Sequence, residues 1–126
     1  MASPAAEDYL KAIYQLSREG ASASTSAIAE HLGIAAGSVT GMLKRLAEQG
    51  LVEHTRYYGA RLTEPGTRTA VRTIRRHRIL EAFLVRILGY SWDRVHAEAE
   101  HLEHSASEEL IDRMAAVLGE PDAELR

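Results

Sequence analysis

Between residues 95 and 104 the chain reads VHAEAEHLEH, so His96, His101 and His104 alternate with Glu98, Glu100 and Glu103 across small or apolar residues. On a helix turning about 100° per residue, His96, Glu100, Glu103 and His104 share one arc; Glu98 points roughly opposite and His101 falls outside. Val95, Ala99 and Leu102 form an adjoining apolar stripe, so the arc borders a buried face. Carboxylates crowded at the edge of a core repel one another and lose solvation unless a cation neutralises them. His77 and Glu81 repeat the pattern at i,i+4, with Ile74, Leu84 and Leu88 on the same face. Two helices can therefore turn His77, Glu81, His96, Glu100, Glu103 and His104 toward a shared gap. Mixed imidazole and carboxylate donors suit Mn²⁺, Fe²⁺, Co²⁺ or Zn²⁺. The chain has no cysteine, which removes thiolate ligands and disulfides alike. The competing reading of the same spacing is a surface face of ordinary polar pairs.

The elements that must position these residues are legible from caps and periodicity. SPAAEDYLKAIYQLSREG opens with Ser3 as N-cap and Pro4 in the first turn, carries Tyr9, Ile13 and Leu16 at helical spacing, and stops at Gly20. Ser24 or Thr25 caps SAIAEHLG, with Ile28, Ala29 and Leu32 inward and Gly33 as the stop. GSVTGMLKRLAEQG follows after a few residues with Val39, Leu43 and Leu46 inward, and two helices joined this tightly form a helix-turn-helix. Gly50 takes the helix C-cap. LVEHTRYYGARLTEPG then reads as a two-stranded ribbon turning at Tyr57 to Ala60, with Gly59 in the turn. The sum is a winged helix-turn-helix; a small helical bundle with an incidental hairpin is the alternative.

Three more helices complete the chain. The first is long, with Pro65 tolerated only in its first turn and Gly89 as its end; the second is begun by Ser91; the third is ended by Gly119 and Pro121. The fold class expected is mainly α, with a winged helix-turn-helix DNA-binding domain over 1–63 and a helical dimerisation and metal-binding domain over 64–126, the long helix 64–88 bridging the two. Leu80, Phe83, Leu84, Ile87, Leu110, Met114, Val117 and Leu118 are more apolar surface than three short helices hide alone. A homodimer interface is the natural sink, and an intrachain three-helix core is the alternative.

The 126 residues, 45% of them hydrophobic, suffice for one compact domain, or a small domain with a helical extension that needs a partner. Nothing approaches the roughly twenty apolar residues of a membrane span, and no signal-peptide pattern opens the chain. The expectation is a cytoplasmic protein with no membrane partner. The net charge of −3 divides unevenly: residues 38–78 hold nine Lys or Arg against three acids, net +6, while residues 79–126 hold four against eleven, net −7. That division fits a middle segment facing a polyanion and a later segment organised around cations, or opposite charges that mix once folded. No HExxH, nucleophile elbow, phosphate loop or dinucleotide loop is present. The ligands come without a place for a substrate, so an enzyme and an organic cofactor are not expected.

On the recognition helix, Ser38 and Thr40 are short hydrogen-bonding groups near the end that enters the major groove of double-stranded DNA, and Lys44 is a phosphate or base contact one turn on. Gly37 and Gly41 remove bulk, so shape, methyl contacts and phosphate placement carry more of the specificity than long side chains do. Arg56 and Arg61 flank Tyr57 and Tyr58 in the wing as a positive edge for the DNA backbone; a solvated hairpin with aromatic packing is the plainer reading.

The chain resembles the diphtheria toxin repressor and manganese transport regulator family over practically its whole length. The resemblance is carried by EDYLKAIYQL, SVTGMLKRLAEQGLV, LTEPG, RRHRILEAFL and, most specifically, VHAEAEHLEH. It implies a dimeric repressor that binds operator DNA when loaded with metal and limits metal uptake. It also implies a primary metal site of Asp8, Glu100, Glu103 and His104 and an ancillary site of His77, Glu81 and His96. Iron-responsive members place methionine and cysteine where this chain has Asp8 and Glu100, so the resemblance points to Mn²⁺ first and Fe²⁺ next, with Co²⁺ or Zn²⁺ as in vitro substitutes; hard oxygen donors favour the same order. One departure is Lys11, where close manganese-type relatives carry a glutamate that helps bind a coupled ion pair. A protonated lysine does not ligate, and it can pair with Glu7 at i,i+4. Two separated sites are expected instead. Larger family members add an SH3-like domain after these helices; this sequence stops at LGEPDAELR. Readings from other classes are a metal buffer or sensor acting through a protein partner without DNA, and an interaction module that binds neither.

Overall fold

The computed structural model describes residues 2–17, 21–55 and 58–119. Its described residues form six helices and a two-stranded sheet: α1 (Pro4–Leu16), α2 (Thr25–Leu32), α3 (Ala36–Glu48), β1 (Val52–Thr55), β2 (Gly59–Leu62), α4 (Glu64–Arg86), α5 (Trp92–Glu103) and α6 (Glu108–Leu118). The chain divides into two compact units, one up to Val71 and one from Arg72, so α4 begins in the first and ends in the second.

In the first unit, Ser3 is the N-cap of α1 and its hydroxyl accepts from the Ala6 N–H at 3.1 Å, with Pro4 opening the helix. The helix ends at Leu16, where the Ser17 hydroxyl donates to the Ile13 carbonyl at 2.5 Å; the anticipated stop, Gly20, lies outside the described residues. Of the two candidate caps for α2, Ser24 takes the role, accepting from the Ala27 N–H at 3.0 Å, and Gly33 closes the helix at φ 70°. Val39, Leu43 and Leu46 of α3 pack with Tyr9, Leu10, Ile13, Ile28 and Ala29 into one core. Burial raises the Tyr9 phenol above its ordinary range, against a smaller lowering by the Arg45 guanidinium. Gln49, rather than Gly50, is the C-cap of α3, with Gly50 following at φ 76°.

The wing departs from the sequence reading at Gly59. Gly59 and Ala60 belong to β2, paired in antiparallel register from Thr55↔Gly59 to Val52↔Leu62, and Tyr57 lies outside the described residues. Gly59 is required both by its backbone, at φ 99°, and by a neighbour. Ala60 exchanges backbone hydrogen bonds with Ala23 at 2.9 and 2.8 Å, and a Cβ on Gly59 would stand 2.7 Å from the Ala23 carbonyl carbon and closer to its oxygen. Gly66, in the first turn of α4, is constrained alike by the Leu51 carbonyl group. Thr63 organises this corner: its hydroxyl donates to the Gly50 carbonyl at 2.7 Å and accepts from the Gly66 N–H at 3.1 Å, while its own N–H donates to the Leu51 carbonyl at 3.1 Å.

In the second unit, Ile79, Leu80, Leu84, Val95, Ala99, Ile111 and Ala115 form the core. Helix α4 stops at Arg86, with Gly89 reversing the chain at φ 78° three residues later. Ser91 is the N-cap of α5 without a side-chain bond; Ser107 caps α6, accepting from the Leu110 N–H at 3.0 Å, and Gly119 ends it at φ 78°. Pro121 lies outside the described residues. The surplus of apolar surface is only partly absorbed: Leu80 and Leu84 are buried, whereas Ile87, Leu88, Trp92, Leu110 and Val117 are exposed.

Candidate metal centre

The second unit gathers its donors from α4 and α5. His77 and Glu81 lie one turn apart on α4, and the His77 Nε2 is 2.8 Å from the Glu81 Oε2. That same oxygen is 3.0 Å from the Nδ1 of His96 on α5, and the two imidazole rings meet edge to face with centroids 4.9 Å apart. His96 Nε2 stands 3.4 Å from the Glu100 Oε1. On its other side His77 turns Nδ1 to the Glu103 Oε1 at 2.5 Å, and the Glu103 Oε2 is 3.6 Å from the His104 Nε2. Two sets, His77/Glu81/His96 and His77/Glu100/Glu103, each offer donor atoms within 4.8 Å of one another.

These distances and donor types fit a divalent ion. Ligands held at about 2 Å from one ion lie roughly 3 to 4 Å apart, so small rotations suffice, with the ion replacing the hydrogens that now lie between donors. Glu103 is the stronger indication, because it is 0% exposed. The apolar stripe of α5 runs Val95, Ala99, Glu103 at four-residue steps, and Leu102, the expected third member, is half-buried beside it. A carboxylate in an apolar stripe costs several kcal/mol unless charge or hydrogen bonds compensate it. The four-residue spacing was the available signal for this burial. Asp8 is half-buried on α1 in the first unit, as is Lys11.

The sequence reading missed a second polar cluster. Arg75 and Arg76 of α4 are buried, and Arg75 lies 2.9 Å from Asp112 and 3.9 Å from Glu108, both on α6; Arg76 lies 3.9 Å from Glu108. Part of the basic middle segment therefore faces the protein's own acids, which narrows what the charge asymmetry says about a polyanion. The remaining candidates for DNA are differently placed. Ser38, Thr40 and Lys44 are exposed on α3, with the Thr40 hydroxyl donating to the Ala36 carbonyl at 3.3 Å, and Arg61 is exposed on β2. Arg56 lies outside the described residues. A Cβ on Gly37 would meet nothing within 4 Å, so that surface of α3 is open.

A winged helix-turn-helix unit followed by a helical unit with a His/Glu cluster is the architecture of metal-dependent DNA-binding regulators. Residues 1–60 match the iron dependent repressor N-terminal DNA binding domain, and residues 63–124 match the iron dependent repressor metal binding and dimerisation domain. The chain belongs to this family, that of the diphtheria toxin repressor and the manganese transport regulator. It is similar to the HTH-type transcriptional regulator MntR of Bacillus subtilis, 37% identical over 114 residues that cover 90% of this chain and 80% of that protein. It is also similar to the iron-dependent repressor IdeR of Mycobacterium tuberculosis, 36% identical over 115 residues, 91% of this chain and 50% of that protein. A solved manganese-dependent transcriptional repressor in complex with manganese superimposes with a TM-score of 0.82 at 46% identity, over 92% of this chain and 53% of that one. The chain thus spans about half the length of the latter two. Among the described residues no helix is long and apolar enough to cross a membrane.

Proposed function

We propose that this chain is a manganese-activated transcriptional repressor that binds operator DNA as a homodimer in the cytoplasm and limits metal-ion uptake, acting as a regulator rather than an enzyme. The observation that carries the reading is the fully buried Glu103, held between the imidazoles of His77 and His104 in the unit that follows a winged helix-turn-helix. Such a carboxylate calls for a cation, and the surrounding nitrogen and oxygen donors, without sulfur, suit Mn²⁺. In this reading Glu100, Glu103 and His104, with Asp8 contributed by the first unit, hold the primary ion, and His77, Glu81 and His96 the ancillary one. Ser38, Thr40, Lys44, Arg56 and Arg61 contact the operator, and exposed Ile87, Leu88, Leu110 and Val117 supply the dimer surface. An ion shared by Asp8 and the α5 donors restricts the orientation of the DNA-reading unit, and activation follows where the ion prefers the DNA-competent arrangement.

Mobility shifts on the protein's own promoter, with and without Mn²⁺, test this reading: binding is expected with the ion and lost on chelation. Equal sequence-specific affinity after thorough chelation overturns metal activation, and metal uptake without operator binding supports the partner-acting sensor instead. The iron-activated form of the reading is favoured by one observation, the near-equal identity to the mycobacterial iron-dependent repressor. Anaerobic Fe²⁺ and Mn²⁺ titrations of operator binding, at controlled free-ion concentration, separate the two.

A further inference from the structure

We propose that Glu103 is the positioning residue for His77 in the neighbouring His77/Glu81/His96 site, beyond its part as a ligand with Glu100 and His104; this rests on the metal-regulator reading above. The geometry is that of a relay. One carboxylate faces two imidazoles, with Oε1 on the Nδ1 of His77 and Oε2 toward the Nε2 of His104. The opposite nitrogen of His77, Nε2, faces Glu81, whose oxygen also meets His96. Nε2 is therefore the atom His77 offers to an ion among those three residues. A neutral imidazole that ligates through Nε2 keeps its hydrogen on Nδ1 and must donate it. Glu103 Oε1 is the acceptor in place, and because Glu103 is 0% exposed, water does not compete for that hydrogen bond.

Three consequences follow from the chemistry. The charged acceptor fixes the tautomer of His77, holds the plane of its ring, and makes Nε2 a better donor to a cation; removing such an outer partner lowers metal affinity by about 10- to 100-fold. Glu103 is a donor of one site and the hydrogen-bond partner of His77, a donor of the other, so the two sites are linked through a single side chain, and any influence of one ion on the other's affinity is reciprocal. The link lies entirely within the second unit, running from α4 through Glu103 to the end of α5.

The test uses Co²⁺ with the full chain, reading total uptake calorimetrically and the ligated histidines by paramagnetically shifted, solvent-exchangeable imidazole N–H resonances. Native protein is expected to show a slowly exchanging Nδ1–H for His77. Glu103→Leu, close in size, is expected to lower affinity at His77/Glu81/His96 by about 10- to 100-fold and to abolish that resonance. Glu103→Gln keeps an oxygen able to accept, and is expected to retain the resonance and recover most of the affinity. His101→Ala, at an exposed position of α5 outside the donor sets, is expected to leave this site's affinity unchanged. The relay is overturned if Glu103→Leu binds within twofold of native at these three residues, or if Glu103→Gln loses as much affinity as Glu103→Leu does. Because no DNA is involved, a failed operator shift alone removes the repressor reading and not this one; a native chain that takes up no Co²⁺ at these three residues overturns this inference, and one that takes up no metal at all overturns both.

Discussion

Replacing Gly66 with alanine is the sharpest test of how the DNA-reading unit is built. Inside an exposed helix this exchange usually stabilises by up to about 1 kcal/mol. Here the new Cβ would stand 2.9 Å from the Leu51 carbonyl carbon and nearer still to its oxygen, against about 3.5 to 4.0 Å for ordinary carbon contacts. The obstacle is backbone, so no side chain can swing aside. Either α4 must lift or the Leu51 peptide must rotate, which is overpacking of about 1 to 3 kcal/mol. Both movements strain the bonds that Thr63 makes to Gly50, Leu51 and Gly66, each worth about 1 kcal/mol. The expected net destabilisation is about 2 to 4 kcal/mol, roughly 10 to 25 °C for a unit of this size. Thermal and urea melts followed by circular dichroism measure it. Gly37→Ala on α3, where a Cβ meets nothing within 4 Å, is the control and should be neutral or stabilising. A Gly66→Ala protein that melts at or above the native temperature would refute the reasoning. Co²⁺ uptake by His77, Glu81 and His96 should survive the lesion at temperatures where both units stay folded.

Two further perturbations address the metal and its output. Asp8→Ala should impair Mn²⁺-dependent operator binding while leaving the dimer mass intact, whereas Lys44→Ala should weaken operator binding evenly across sequences and lower the salt slope by about 1, with Mn²⁺ binding unaffected; calorimetry, dimer mass and mobility shifts on both variants give the comparison, and native metal-dependent affinity in Asp8→Ala removes Asp8 from the site. Glu100→Cys should move the activation ranking toward softer or later ions, and an unchanged order of Mn²⁺, Fe²⁺, Co²⁺ and Zn²⁺ in operator titrations would reject Glu100 as the selecting ligand.

What the sequence disclosed was local. Ser3, Ser24 and Ser107 cap their helices because a short hydroxyl reaches an N–H three residues ahead, and that relation is written in consecutive residues. Val39, Leu43 and Leu46 were legible as a buried face for the same reason. Gly59 belongs to the last pair of the ribbon rather than to the turn; its φ of 99° suits the glycine the turn chemistry suggests, but the close approach of Ala23, far back in the chain, is not written in neighbouring residues. The charges of Arg75 and Arg76 enter the sequence reading only as part of a basic segment, because their partners Glu108 and Asp112 arrive on α6 and charge counts carry no information on pairing. At the candidate metal centre, the spacing of His77 with Glu81 and of His96 with Glu100 put each pair on one helix face. It did not reveal that Glu103 occupies the core stripe, nor that His77 faces both sets of donors, because both depend on how α4 meets α5.

The end of α5 has a consequence of its own. Glu103 is the last residue of the helix and His104 its C-cap, so these donors stand where the backbone carbonyls converge and the helix carries its partial negative charge. A carboxylate at that terminus meets like charge from its own backbone as well as from Glu100. A cation there offsets all of these at once and gains from the peptide dipoles without any further side chain. The final turn of α5 thereby becomes a terminus whose firmness depends on the ion: amide hydrogens from Leu102 to Ala106 should exchange fastest in metal-free protein and slow on loading, making the length of one helix a record of whether the metal is there.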